Sequence, residues 1–169
     1  MLIMMIRSLL IALLAASAVA TSARAQDALV TYKALSPELA LDCARAALNE
    51  CRKRGFQVGV AVVDRFGLTQ VTLRDRFAGA HTIPTATGKA WTAATFRTAT
   101  TDLQNLSQPG SALSGLRSVP GALILGGAIT IDAAGSLVGA IGVSGAPGGD
   151  IDEACAKAGI DAIRERLDF

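Results

Sequence analysis

His81 is the single histidine of this 169-residue chain, and neutral imidazole is among the side chains most often used to bind a metal. Arg74 and Arg76 precede it closely. A planar guanidinium holds a carboxylate through two parallel hydrogen bonds. A helix is expected just after His81, and its N-terminus adds a dipole favourable to an anion. This grouping suits a pocket for a metal-bearing or anionic guest. The histidine equally suits a plain role, closing a loop or capping the helix, and both readings stay open. Lys89 either pairs with an acid such as Asp64 or Asp132 or meets a ligand carboxylate. Trp91 lies two residues on, so it points to a different face of the helix and suits the core or a subunit interface. Asp64 and Asp132 each precede a turn, where short acids accept backbone hydrogen bonds.

Other constellations do not form. The glycines of 126–127 and of 142–149 match neither GxxxxGK[ST] nor GxGxxG before a helix. There is no GxSxG elbow, and a serine triad would consume the one histidine. No C-x-x-C or histidine pair offers a zinc site. Cys43 and Cys51 lie eight residues apart on one expected helix, about 12 Å at helical rise. That exceeds disulfide reach, so residue spacing alone leaves three buried thiols as one outcome.

The first 25 residues read as a secretory signal. Arg7 precedes an apolar run over 9–16, and small residues end in Ala23-Arg24-Ala25. The run is shorter than the roughly 20 residues a spanning helix needs; the alternative is an uncleaved anchor. Cleavage after Ala25 would leave a single domain over 26–169, periplasmic or secreted and free of the membrane. It would also remove Arg7 and Arg24, so that 16 basic residues become 14 against 14 acidic ones. The net charge of +2 therefore gives no argument for nucleic acid. All three methionines would leave with the signal. The remaining length is that of one ordinary domain, rich in small and aliphatic residues.

The elements that must hold these side chains follow from periodicity and punctuation. Ser36-Pro37 opens a helix, with Ser as N-cap and Pro at the first helical position. Leu39, Cys43, Ala46, Ala47 and Cys51 recur along one face, and Gly55 ends it. Residues 57–64 are β-branched and apolar, a buried strand. A turn at 65–67 leads to an alternating strand over 68–74 whose polar face meets solvent or ligand. A helix is expected over 84–97 and a short one over 101–106. Two strands, 122–125 and 128–132, flank Gly126-Gly127, and another spans 136–144. Glycines inside that last strand mark close approach by another backbone or a ligand. Asp150 and Glu153 suggest a capping box opening a final helix to about Leu167.

Several strings in this order resemble the GlcG/HbpS family of haem-binding proteins: VAVVDRFG (60–67), LRDRFAGAHTIPTATGKAWTAATF (73–96), LGGAITID (125–132) and VGAIGVSG (138–145), followed by Asp152-Glu153-Ala154-Cys155-Ala156. Lys89, Thr92, Ala93 and Phe96, together with IGVSG, carry the likeness most strongly. It implies a profilin-like α/β (α+β) fold. A central antiparallel five-stranded sheet is expected, flanked by the N- and C-terminal helices on one face and a middle helix elsewhere. It also implies homo-oligomers. In that fold the first and last helices lie side by side and antiparallel, which implies a Cys51–Cys155 disulfide and a buried free Cys43.

If haem binds, the chain without its signal offers only His81, Tyr32 and the three cysteines as the usual iron ligands. The implied function is haem or tetrapyrrole binding, with His81 at the iron and Arg74, Arg76 and Lys89 near carboxylates. One alternative is an enzyme acting on haem or on a small hydroxy or keto acid in the same pocket. Another is an oligomeric accessory protein without a small-molecule ligand.

Overall fold

A computed structural model describes residues 29–167 of the chain. The expected signal peptide, 1–25, lies outside the described residues. The chain divides into units Met1–Tyr32 and Lys33–Phe169; the architecture below is that of the second.

Helix α1 spans Pro37–Lys53. Ser36 caps it, its Oγ accepting from the Leu39 amide at 3.2 Å. Its buried stripe is Ala40, Cys43, Ala44, Ala47, Leu48 and Cys51, the three- and four-residue spacing of one helix face. Strands β1 (Gly59–Asp64) and β2 (Thr69–Arg74) form a hairpin. Helix α2 spans Thr82–Phe96 and α3 Thr100–Leu106. Strands β3 (Ala128–Ala133) and β4 (Ser136–Ser144) form a second hairpin. Helix α4 spans Gly149–Asp161.

The sheet order is β2-β1-β4-β3, antiparallel throughout. The two central strands are covered on both faces, which is why β1 reads as an unbroken apolar run rather than an alternation. Val60, Val62, Ile141 and Val143 pack with α1 and α4 in the larger core. Val63 and Ala140 pack against Ala90, Ala93 and Ala94 of α2 on the other face. The terminal helices share one face, as expected, and the middle helix, expected only elsewhere, covers the opposite one.

The sheet has four strands, not five. Residues 122–125 pair with no ladder: the Leu123 amide donates to Thr92 Oγ1 of α2 at 2.8 Å and the Leu125 amide to the Leu123 carbonyl. The Gly126 amide donates to Gln104 Oε1. A segment whose amides are satisfied by side chains and a tight local turn has no need of a neighbouring strand. The expected capping box at α4 is also absent. Gly148 holds the N-cap position without a side-chain cap, and Glu153 instead accepts from the Thr101 hydroxyl of α3.

Helices α1 and α4 are joined by a Cys51–Cys155 disulfide with a Cα separation of 5.5 Å. The antiparallel pairing is visible in two contacts. Arg166, beyond α4, reaches Asp42 near the start of α1, while Cys155 meets Cys51 near its end. Cys43 is a buried free thiol, pushed up to about 12 by burial.

Candidate functional site

Close seating of α2 on the sheet builds the site. Gly142 lies under the helix with no room for a side chain: a Cβ there would sit 2.2 Å from the Ala86 carbonyl oxygen. Gly59 lies under Thr82 in the same way. Of the two glycines expected to mark close approach in β4, Gly139 admits the Val63 carbonyl of β1 and Gly142 the backbone of α2. This contact brings Lys89 to the edge where β4 ends and α4 begins.

Lys89 is only 1 % exposed and Asp152, in the first turns of α4, only 3 %. Lys89 Nζ donates to Asp152 Oδ2 at 2.8 Å and to the Val143 carbonyl at 3.0 Å. Asp152 Oδ1 accepts from the Ala146 amide at 3.1 Å. Burial pushes the Asp152 carboxyl above its ordinary range, opposed by the Lys89 ammonium and the Ala146 amide. Gly127 makes room for the pair: its φ is +118°, and a Cβ there would lie 2.6 Å from Asp152 Cβ and 2.8 Å from Lys89 Nζ. Lys89 is thus paired with Asp152, and not with Asp64 or Asp132. Asp64 instead accepts from the amides of Phe66 and Leu68, shaping the β1–β2 turn.

A cavity of about 390 Å³ opens beside this pair. His81, Thr85 and Lys89 form its α2 side, and the β4–α4 loop from Ser144 to Gly149 forms the opposite wall. Leu125 adds an apolar side. His81 is exposed, and its ring lies over Gly79, where a Cβ would come within 2.8 Å of Nδ1. It occupies the N-cap position of α2 but makes no capping hydrogen bond, so helix capping does not explain its side chain.

The structure therefore brings His81 and Lys89 to one cavity. Arg74 and Arg76 are not on its wall. Arg74 Nη1 donates to the Ala78 carbonyl, bracing the loop that carries His81. Arg76 is exposed, and its amide donates to Asp75 Oδ1. That loop has a second anchor the sequence reading missed. Buried Asp75 accepts two hydrogen bonds from Arg52 of α1, at 2.7 and 2.9 Å. Asp152 was missed too, because its partner lies 63 residues away. Trp91 is half-buried over Gly67 and Gly121.

Comparison with known proteins decides the family. The family described as haem-degrading HbpS-like proteins matches residues 35–161. This chain belongs to the HbpS-like family. A double mutant of HbpS from Streptomyces reticuli is 41 % identical, with a TM-score of 0.75, over 80 % of this chain and 90 % of that one. The haem complex of PduOC is 34 % identical, with a TM-score of 0.73, over 78 % and 96 %. The corrinoid adenosyltransferase PduO of Salmonella typhimurium is 38 % identical over 103 residues. The match covers 60 % of this chain but only 31 % of that relative, so the chain spans about a third of the PduO length.

The donor set fits an iron porphyrin. The His81 ring is solvent-open and has no hydrogen-bond partner among the described residues, so it is the side chain that would hold a haem iron there. Cys51 and Cys155 are joined to each other and Cys43 is buried, which removes all three cysteines from the candidate iron ligands.

Proposed function

We propose that this chain is an exported haem-binding protein in which the cavity between α2 and the β4–α4 loop receives the tetrapyrrole and His81 ligates the iron. The observation that carries this reading is the imidazole on the cavity wall, open to solvent and engaged by no side-chain cap. The haem complex of the similar PduOC supports the same ligand class. Haem, when bound, supplies an iron centre for electron or oxygen chemistry. The chain's own part is to position the ring: Arg74 and the Arg52–Asp75 pair hold the loop, and Leu125 offers an apolar wall. Hemin titration of the protein spanning 26–169 is expected to give a Soret band that His81→Ala loses or shifts. An unchanged spectrum and affinity in that variant would overturn His81 as the ligand.

A second reading, haem degradation in the same cavity, is favoured by the description of the family. Decay of bound hemin with peroxide, faster than that of free hemin and with release of iron, is its signature. Export through residues 1–25, a periplasmic or secreted location and homo-oligomeric assembly complete the proposal. The mass of the protein recovered from the periplasm or medium and its sedimentation velocity test these parts.

A further inference from the structure

One side of the cavity carries hydrogen-bond donors that no group among the described residues uses. Ser144 ends β4 and is 5 % exposed. Strand alternation gives its side chain the same face as Ala140 and Gly142, the face that packs on α2. Among the described residues its hydroxyl has no hydrogen-bond partner, and it lies on the cavity wall. The residue is buried but its hydroxyl opens into the cavity, where a ligand oxygen can take the place of water as its partner.

The second feature is the start of α4. Gly148 and Gly149 line the same cavity, and no side chain caps this 13-residue helix. Its first amides lack intrahelical acceptors and carry the positive end of the helix dipole. The third is the Lys89 ammonium, which has three N–H donors and uses two, on Asp152 and Val143. Thr85 adds a hydroxyl on the α2 side. Opposing charges are present: Asp152 neutralises Lys89, and Asp150 lies exposed near Gly148, off the cavity wall. The site therefore selects through directed donors more than through net charge.

We propose that this end of the cavity is a carboxylate-binding subsite, in which a ligand carboxylate accepts hydrogen bonds from the Ser144 hydroxyl, the Gly148–Gly149 amides and Lys89. The proposal deepens the haem reading, because a tetrapyrrole propionate is one source of such a group. A small free hydroxy acid is the other.

The test uses three probes: hemin, hemin with both propionates esterified, and glycolate. Each is titrated into wild type and Ser144→Ala, by absorbance for the porphyrins and by ligand-observed NMR for glycolate. A hydrogen bond to a charged group predicts about tenfold weaker binding of the free acids to Ser144→Ala. The ester is expected to bind wild type about tenfold more weakly than hemin and to be indifferent to the substitution. Equal affinity of the two proteins for every carboxylate that binds would overturn the subsite, as would an ester that binds as tightly as the acid. If hemin fails to bind but glycolate binds and responds to Ser144→Ala, the subsite stands and the haem reading falls. If neither binds, the subsite is overturned. A thermal melt of Ser144→Ala separates lost binding from lost folding.

Discussion

Lys89 and Asp152 stand 63 residues apart in sequence and 2.8 Å apart in the fold, both almost wholly buried. The pair ties the middle helix to the last one across the end of β4 and forms part of the cavity wall.

Removing one member leaves a buried charge without its partner. Lys89→Met and Asp152→Leu are each expected to destabilise the protein by about 3–5 kcal/mol. The double substitution should cost clearly less than the two single costs added together, because no stranded charge remains. Urea denaturation of the four proteins measures the coupling, and strict additivity would contradict it.

The Arg52–Asp75 contact sets a dependence on acid. The Arg52 hydrogen bonds, and then the Arg76 amide, hold the Asp75 carboxyl below the usual range despite its burial. A depressed folded pKa gives stability that is fully present above the unfolded value, about 3.9, and lost as pH falls toward the folded one. Asp152 acts in the opposite sense: its folded pKa is raised, so its contribution declines as pH rises from about 3.9 through the raised value. Melting temperatures between about pH 2 and 6 should therefore fall less steeply at the acid end in Asp75→Asn than in wild type. Parallel curves would remove Asp75 from the account.

The disulfide closes a long loop, with its cysteines 104 residues apart. The chain-entropy estimate for such a loop is about 4.7 kcal/mol, and measured losses are typically about 2–5 kcal/mol. Cys51→Ser with Cys155→Ser is expected to lose stability in that range. Intact mass should rise by two hydrogens on reduction. Cys43 should resist alkylation in the native state, since it is buried and its thiol titrates only near about 12. Rapid labelling of one cysteine without denaturant would contradict that assignment.

Gly79 tests the placement of the imidazole. Gly79→Ala would put a methyl group 2.7–2.8 Å from two ring atoms of His81, so the ring must turn. Because the site is exposed, stability should change by no more than about 0.5 kcal/mol. The Soret band of the hemin complex should shift. An identical spectrum would mean that the ring does not reach the iron.

Much of this fold was legible in the residues. Ser36-Pro37, the apolar run of β1, the turn at 65–67 and strand 136–144 are local signals, written by capping, periodicity and glycine. The failures also have local causes. Residues 122–125 read as a strand because they are apolar, yet Thr92 supplies the hydrogen bond that a ladder would have supplied. Asp150 and Glu153 had the spacing of a capping box, but Thr101 claims the Glu153 carboxylate.

By itself the sequence determined the periodic elements, the one histidine and the strings that mark the family. Only the tertiary structure decided which acid answers Lys89, that Arg74 braces a loop rather than lining a cavity, and that Ser144 faces α2 with no partner among the described residues. The reason is one of range. Capping, alternation and turn chemistry act over a few neighbouring residues, whereas an ion pair or a cavity wall depends on how closely α2 settles onto Gly142 and where that brings side chains from distant parts of the chain.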